Sequence, residues 1–214
     1  MFSVFTEALS KAFLEPLPGK KAQDLLKPYL KVYKSFDVPQ LPNSKESAVM
    51  ALIYPVNTIP HILFIERPKY EGVHSGQIAF PGGKTEKSDT TYLSTALRET
   101  KEEVGIRSET IEVVGALSSV YVLASNFIVY PYVGVLQNRP SLILEQSEVA
   151  DVLEIPLYRF FEPNIIKEKT MKSAVGVNLR APYYDLDGKI LWGATAMMVS
   201  ELCAVIKKQE ILLY

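Results

Sequence analysis

The sequence is poor in the residues that form disulfides and the common thiolate or imidazole metal sites. Its 214 residues include one cysteine, Cys203, and two histidines, His61 and His74. A single cysteine excludes an intrachain disulfide and a cysteine zinc site, and two histidines exclude a histidine metal cluster. Cys203 lies in an apolar segment that is typical of a buried helix, so we expect it to pack in the core.

Long apolar runs and basic runs are missing as well. No stretch of roughly 18 apolar residues occurs, and no basic region precedes the apolar residues near Met1, so no membrane-spanning segment is predicted. The formal net charge is −1, with lysines and arginines scattered along the chain, whereas binding of a nucleic acid polymer needs a positive footprint. We expect a cytoplasmic protein without membrane or nucleic acid partners, while a small phosphate ligand held through a metal ion stays compatible.

The first part of the chain, residues 1–43, is predicted to be a helical extension of one larger domain, residues 44–214. A hydrophobic content of 48% is enough for one substantial core. Apolar residues at helical spacing predict one helix over residues 2–14 and a second short helix around residues 25–30, which prolines keep short. The aromatic residues of this extension are expected to pack on the main domain or on a second subunit, so a homodimer is one of two open alternatives.

The most informative stretch is rich in acids: Arg98-Glu99-Thr100-Lys101-Glu102-Glu103-Val104-Gly105. If residues 89–104 form a helix, an apolar stripe containing Leu93 and Leu97 faces the core. Glu99, Glu102 and Glu103 then share the opposite sector, where like charges at this spacing repel. Bound Mg²⁺ or Mn²⁺ would remove that repulsion. The alternative is a solvated acidic face on which Arg98 pairs with Glu102.

Together with Gly82-Gly83-Lys84 upstream, this stretch resembles the Nudix box, G-x5-E-x7-R-E-U-x-E-E-x-G-U, where U is aliphatic. The right half matches except at Thr100. On the left, Lys84 and Thr90 stand where the pattern has Gly and Glu, while Gly83 and Asp89 each come one residue early. The loop is therefore one residue longer, and we expect Asp89 to be the helix N-cap.

The resemblance implies a fold, a cofactor and a set of roles. The implied fold is an α+β domain, the Nudix-type α/β/α sandwich with a mixed sheet. Glu99, Glu102, Glu103 and the Gly83 carbonyl would hold Mg²⁺ or Mn²⁺. Glu99 or Glu148 would act as the general base, with a structural cap as the alternative role of Glu148. Arg98 would hold the glutamates in place by salt bridges.

Short apolar runs rich in β-branched residues predict the strands of this domain. They cover residues 48–54, 61–65, 77–80, 111–117, 127–136 and 149–157, with a hairpin at 176–184 and 189–192. A short helix is predicted to begin at 158–161 and a closing helix covers 194–207. Strands on both sides of one long helix also indicate an α+β layered domain.

A second motif, from residue 63 to residue 83, resembles the signature of the coenzyme A diphosphatase branch of Nudix hydrolases. The matching residues are Arg67, Gly76, Phe80, Pro81, Gly82 and Gly83, and His74 and Gln77 are also usual there. Gly72 stands where the signature has Arg, and Pro68 where it has Ser or Ala. The resemblance implies hydrolysis of coenzyme A to 4′-phosphopantetheine and adenosine 3′,5′-bisphosphate. The implied substrate contacts are Arg67, Gly76, Gln77, Gly82 and Lys84, and the missing arginine has two candidate replacements, Lys69 and Lys84.

Other interpretations stay open at this point. Gly72 favours a different substrate of the same family, such as ADP-ribose, a dinucleoside polyphosphate or a nucleoside triphosphate. The chain could also be a nucleotide sensor that binds without hydrolysis, or an isomerase on the same fold. Individual residues have structural alternatives too: Arg67 as a surface charge, His74 as a loop residue, and Trp192 as a core residue rather than a stacking surface.

Overall fold

The chain folds around one long strand, β1 (Lys45–Val56). The computed structural model of the protein describes residues 2–30, 40–72, 74–172, 176 and 178–213. Its helices are α1 (Phe2–Ala12), α2 (Lys20–Gln23), α3 (Tyr92–Val104) and α4 (Gly193–Lys208). The strands after β1 are β2 (Ile59–Glu66), β3 (Ile78–Ala79), β4 (Gly82–Lys84), β5 (Glu112–Ala116), β6 (Val120–Val122), β7 (Phe127–Val135), β8 (Asp151–Pro156), β9 (Ile166–Lys172), β10 (Asn178–Leu186) and β11 (Lys189–Trp192).

Strands β1 to β8 form one mixed sheet. β1 pairs in parallel with β7, while the other pairings in this sheet are antiparallel. The core of the sheet has the order β3-β2-β1-β7-β5, and β4 pairs with β1 beyond the end of the β1–β2 pairing. The short strand β4 occupies the Gly-Gly segment, which the sequence pattern indicated only as a loop. The mixed sheet of the predicted fold is confirmed.

Helices pack on both faces of this sheet, and β1 shows why. Its side chains alternate between the two faces: Ala48, Met50 and Leu52 belong to the apolar cluster under α3, while Ala51 and Ile53 belong to the cluster under α1 and α4. All five are fully buried, which explains the nearly continuous apolar run in the sequence. The α/β/α layering expected from the sequence is thus confirmed.

The N-terminal residues pack on the main domain. Phe5, Leu9 and Ala12 of α1 are buried in the same cluster as the sheet and α4. The second predicted helix is shorter and earlier than expected: α2 runs into a 3₁₀ turn at residues 24–26 and ends before Pro28, which cannot continue a helix. Tyr29 instead forms a β-bridge with Arg180, and residues 31–39 of the predicted extension lie outside the described residues.

Glu201 of α4 is a fully buried acid that fixes the N-terminal residues to the domain. Its carboxylate accepts hydrogen bonds from the backbone N–H of Gly19 at 3.0 Å and from Nε2 of Gln23 at 2.8 Å. The backbone N–H and hydroxyl of Ser118 donate to it as well, at 3.1 and 2.7 Å. Buried polar groups of this kind are stable only when each is hydrogen-bonded, so Glu201 joins three separate segments.

One expectation about local structure is corrected, and another gains detail. The N-cap of α3 is Thr91, not Asp89: the Thr91 hydroxyl accepts the Ser94 N–H at 3.0 Å, and the Ser94 hydroxyl accepts the Thr91 N–H in return. The predicted 189–192 hairpin with its partner strand is present as β10–β11, but it belongs to a separate three-stranded sheet with β9. β9 had not been predicted, because its exposed sequence shows little apolar alternation.

The helix α4 carries Cys203, which packs against the apolar cluster on its face of the sheet. Burial raises the pKa of this thiol to about 12, consistent with the core-packing role expected for it. Among the described residues, no helix is both long and apolar enough to cross a membrane.

Replacing Glu201 by alanine should destabilise the fold. The substitution leaves buried donors of Gly19, Gln23 and Ser118 without their acceptor, and we expect the free energy of unfolding to fall by about 3 kcal/mol in urea denaturation. Glu15→Ala, at an exposed position of the same N-terminal region, should change it by less than about 0.5 kcal/mol. Equal stabilities for the two variants would contradict the anchoring role.

Candidate active site

The candidate site is built from the last turns of α3, where Glu103 is almost completely buried with 2% of its surface exposed. The helix ends at Gly105, which adopts the left-handed conformation (φ 75°) that glycine tolerates best. The Oε2 atom of Glu103 accepts the backbone N–H of Gly82 at 2.8 Å. This bond ties the acidic end of α3 to β4.

Three carboxylates meet at this point. Glu99, Glu103 and Glu148 each place an oxygen within 4.8 Å of the other two. Glu148 is distant along the chain, but the backbone N–H of Glu145 donates to the Glu103 carbonyl at 3.0 Å, which brings the 145–149 turn against α3. The structure therefore joins the candidate base Glu148 to two of the three glutamates of the helix.

Gly82 and Gly83 provide the space that these acids occupy. A Cβ atom on Gly83 would lie 2.4 Å from the carboxyl carbon of Glu99, so a side chain there would displace this carboxylate. Gly82 has φ +152°, and a Cβ on it would lie 2.4 Å from the carbonyl oxygen of Ala48. Gly82 is thus required by the close approach of β1, and Gly83 leaves room for the carboxylate of Glu99.

The electrostatics of the three acids fit a divalent cation. Burial raises the pKa of Glu103 to about 8, even though the Gly82 N–H bond and the charge of Arg67 oppose that rise. Burial also raises the pKa of Glu99, against the lowering effect of Arg98. Crowded, desolvated carboxylates need a positive charge among them, and clustered carboxylate oxygens are the ligands that Mg²⁺ and Mn²⁺ prefer.

Arg98 binds one acid of the cluster, Glu99, and two acids outside it, Glu102 and Asp89. Its Nη1 atom donates to Oε1 of Glu99 at 2.9 Å and to Oε2 of Glu102 at 2.8 Å. Its Nε and Nη2 atoms donate to the two carboxylate oxygens of Asp89 at 3.1 and 3.0 Å, and Nη2 also reaches the Lys84 carbonyl. All five donors of a guanidinium lie in one plane, so this network fixes the orientation of Glu99.

Two predicted site residues lie at the edge of this arrangement. Glu102, predicted as a metal ligand, is about half exposed and bonds to Arg98; it lies outside the group of three converging acids among the described residues. Lys84, predicted to contact substrate, has an exposed side chain, and its backbone carbonyl accepts Arg98 Nη2 at 3.1 Å.

The remaining predicted substrate contacts fall into two places. Arg67 and Gly82 lie beside the acids: Nη2 of Arg67 is 3.4 Å from the Gly82 carbonyl oxygen. Gly76 and Gln77 lie in the loop before β3, where Gln77 accepts the Arg67 backbone N–H at 3.0 Å. His74 Nδ1 lies 3.0 Å from Oε1 of Gln77 within this loop.

Sequence reasoning missed the role of Asp89. Its carboxylate accepts four hydrogen bonds, from Arg98 Nε and Nη2, from the Thr95 hydroxyl at 2.9 Å and from the Glu86 N–H at 2.9 Å. The bond to Arg98 holds the pKa of Asp89 well below its ordinary range. The available signal was the position of Asp89 one residue before the acid of the Nudix pattern, which placed a carboxylate near the start of the helix.

Comparisons with known proteins agree on one family. A family model described as the NUDIX domain matches residues 44–175. The protein named uncharacterized Nudix hydrolase NudL from Yersinia enterocolitica is 33% identical over 166 residues, which are 75% of this chain and 80% of that protein. Its namesake from Yersinia pestis is 33% identical over 149 residues, 67% of this chain and 71% of its own.

One solved structure supports the fold. The crystal structure of RenU, a Nudix hydrolase from M. smegmatis, superimposes with a TM-score of 0.53 over 80% of this chain and 90% of its own. At 12% sequence identity, this likeness concerns the arrangement of helices and strands alone.

Replacing Asp89 by asparagine should lower stability in a pH-dependent way. The folded-state pKa of Asp89 is depressed, so its carboxylate stabilises the fold above its unfolded pKa, near 3.9, and that stabilisation is lost as pH falls below it. At pH 7 we expect a loss of about 1 to 2 kcal/mol in the free energy of unfolding. The gap to wild type should narrow below about pH 4, and a gap that widens would contradict this assignment.

Metal binding can be measured without any substrate. Titration calorimetry with Mn²⁺ should show binding to wild type, and Glu103→Gln or Glu148→Gln should weaken it roughly tenfold or more, since each removes a converging carboxylate. Glu109→Gln, at an exposed acid in the 3₁₀ turn after α3, should not change the affinity. Unchanged Mn²⁺ affinity in Glu103→Gln would refute the metal site, and Glu102→Gln decides whether that residue contributes.

Proposed function

The chain belongs to the Nudix hydrolase family, whose members act on phosphorus-containing anhydrides, and on that premise we propose that it hydrolyses the diphosphate bond of coenzyme A or its derivatives. The products would be 4′-phosphopantetheine and adenosine 3′,5′-bisphosphate. The observation that carries the substrate assignment is the segment from Arg67 to Gly83, which resembles the coenzyme A diphosphatase signature and supplies both Arg67 and Gly82 to the surroundings of the acid cluster.

Glu99, Glu103 and Glu148 are the proposed holders of Mg²⁺ or Mn²⁺, and the Gly83 carbonyl and Glu102 stay predictions as further ligands. When bound, the cation neutralises the charge of the diphosphate and lowers the pKa of a bound water. Glu103 is buried, and one of its oxygens already accepts the Gly82 N–H. Glu148 is exposed and Glu99 half-buried, so one of these two takes the proton from the attacking water.

Two arginines have separate roles in this proposal. Arg98 bonds to Glu99, Glu102 and Asp89, so it positions the glutamates and makes no contact with substrate. Arg67 lies at the mouth of the cluster with Nη2 near the Gly82 carbonyl, where it can bind a phosphate oxygen. A guanidinium suits this task because it offers paired donors to phosphate.

A second candidate function is hydrolysis of another nucleoside diphosphate derivative, such as ADP-ribose or a dinucleoside polyphosphate. Gly72, in place of the arginine of the coenzyme A signature, favours it. A sensor that binds nucleotides without hydrolysis is less well supported, because a binder gains nothing from three carboxylates within 4.8 Å of one another, one of them buried.

A substrate panel tests the proposal. With Mg²⁺ or Mn²⁺, we expect the highest kcat/KM for coenzyme A among coenzyme A, ADP-ribose, a dinucleoside polyphosphate and a nucleoside triphosphate. Glu103→Gln should lower kcat by about a thousandfold, since metal stabilisation contributes several kcal/mol to the transition state, while Glu109→Gln should match wild type. Preference for ADP-ribose would favour the second candidate, and metal-independent turnover or none would refute the mechanism.

A further inference from the structure

Residues 142–149, here called the strap, lie against the end of α3 and are fastened there by two backbone hydrogen bonds. The N–H of Ile143 donates to the Val104 carbonyl at 3.0 Å, and the N–H of Glu145 donates to the Glu103 carbonyl at 3.0 Å. The last carbonyls of a helix have no N–H partner within the helix, so the strap supplies donors that α3 lacks. The strap is therefore placed by the same turn of α3 that contains the buried acid.

Within the strap, a closed turn leads from Glu145 to Glu148. The Glu145 carbonyl accepts the N–H groups of Glu148 and Val149 at 2.9 and 2.8 Å. The Glu145 carboxylate accepts the N–H and the hydroxyl of Ser147 at 3.2 and 2.8 Å. Val149 is buried in the apolar cluster under α3, with 2% of its surface exposed. Glu148 thus lies between two fixed points, the bond of Glu145 to α3 and the buried side chain of Val149.

Gly105, the residue after α3, leaves the space into which the strap fits. A Cβ atom on Gly105 would lie 2.8 Å from Cβ of Ile143, 3.1 Å from its carbonyl oxygen and 3.2 Å from its backbone nitrogen. These atoms cannot rotate aside as the end of a long side chain can, so a side chain at position 105 would push the strap away from α3. The left-handed φ of 75° explains this glycine only in part, because asparagine also adopts that conformation. The close approach of the strap is a second reason for a residue without Cβ.

The contact between Gly105 and the strap involves the backbone more than the Ile143 side chain. That side chain is 74% exposed, so it contributes little burial. The neighbouring Leu142 and Leu144 are half-buried and pack on the cluster under α3. The strap therefore reaches α3 with alternate side chains directed inward, and Gly105 meets it at the one between them.

We propose that Gly105 is a positioning residue for Glu148. By leaving room for the strap at the end of α3, it brings the Glu148 carboxylate within 4.8 Å of the carboxylates of Glu99 and Glu103. This rests on the proposed function, in which Glu148 holds the cation or takes the proton. Gly105 has no side chain that could contact a cation or a substrate, so its effect passes through the strap.

Mn²⁺ affinity, measured by titration calorimetry, tests this without any substrate. Gly105→Ala should weaken Mn²⁺ binding about tenfold, as expected when the support of a metal ligand is displaced. The matched control is Gly188→Ala, which should bind Mn²⁺ like wild type. Gly188 has a left-handed conformation as well (φ +88°), but a Cβ on it would point into open space. Both substitutions carry backbone strain of the same kind, and only the first displaces the strap.

A double substitution shows whether the effect passes through Glu148. If it does, Gly105→Ala combined with Glu148→Gln should bind Mn²⁺ no more weakly than Glu148→Gln alone, whereas independent effects would multiply to about a hundredfold loss. Multiplied effects, or an unchanged affinity in Gly105→Ala, would show that the inference is wrong while the metal site and the proposed hydrolysis stand. If wild type does not bind Mn²⁺, the metal site fails and the inference fails with it.

Hydrogen exchange gives a second measurement that needs no change at Gly105 and stays decisive if Gly105→Ala does not fold. In wild type, saturating Mg²⁺ should slow exchange of the Ile143 and Glu145 N–H groups about threefold or more, because a cation held by Glu148 restrains the strap. In Glu148→Gln, saturating Mg²⁺ should leave their exchange unchanged. Equal slowing in the two proteins, or none in wild type, would contradict the link between the strap and the site.

Discussion

The burial of Glu103 is the constraint on which the site depends. An ionisable group with 2% of its surface exposed is costly unless other groups compensate for the lost water. Here one hydrogen bond from the Gly82 backbone and the nearby charge of Arg67 do so only in part, since the pKa of Glu103 is still raised. Because β4 lies so close to α3, a positive charge near the carboxylate of Glu103 would stabilise its ionised form. This explains why the acids around Glu103 form a candidate cation site.

The carboxylates around Glu103 fall into two groups: those that bond only to Arg98 and its neighbours, and those that converge on the cluster. Asp89 and Glu102 bond to Arg98, at the outside of the cluster. Glu99 has one oxygen bonded to Arg98 and still reaches Glu103 and Glu148. The guanidinium of Arg98 thus orients Glu99 at the border of the site, but it does not itself occupy the space between the three converging carboxylates. This geometry supports the proposal that a divalent cation binds among Glu99, Glu103 and Glu148.

The sequence could predict whatever depends on local spacing, but not what depends on pairing between distant segments. Helix α3, its apolar stripe and both faces of the buried strands follow from periodicity. Periodicity could not show that Glu103 is buried while its neighbour Glu102 is half exposed. The position of β4 determines which of these two side chains is covered. Asp89 and Thr91 are both residue types that cap helices. Thr91 is the cap because it bonds to Ser94, while Asp89 bonds to Arg98, Thr95 and the Glu86 N–H. The approach of Glu148 depends on a backbone bond between Glu145 and Glu103, which no side-chain pattern reports.

The parallel pairing of β1 with β7 has a consequence for how the chain reaches this fold. Residues 45–53 pair with residues 127–135, so the centre of the sheet closes only after the whole acidic helix and its flanking loops have been synthesised. Topologies dominated by such distant pairings fold slowly. Until residues 127–135 are available, β1 lacks its parallel partner, and an uncovered strand edge of this kind favours aggregation.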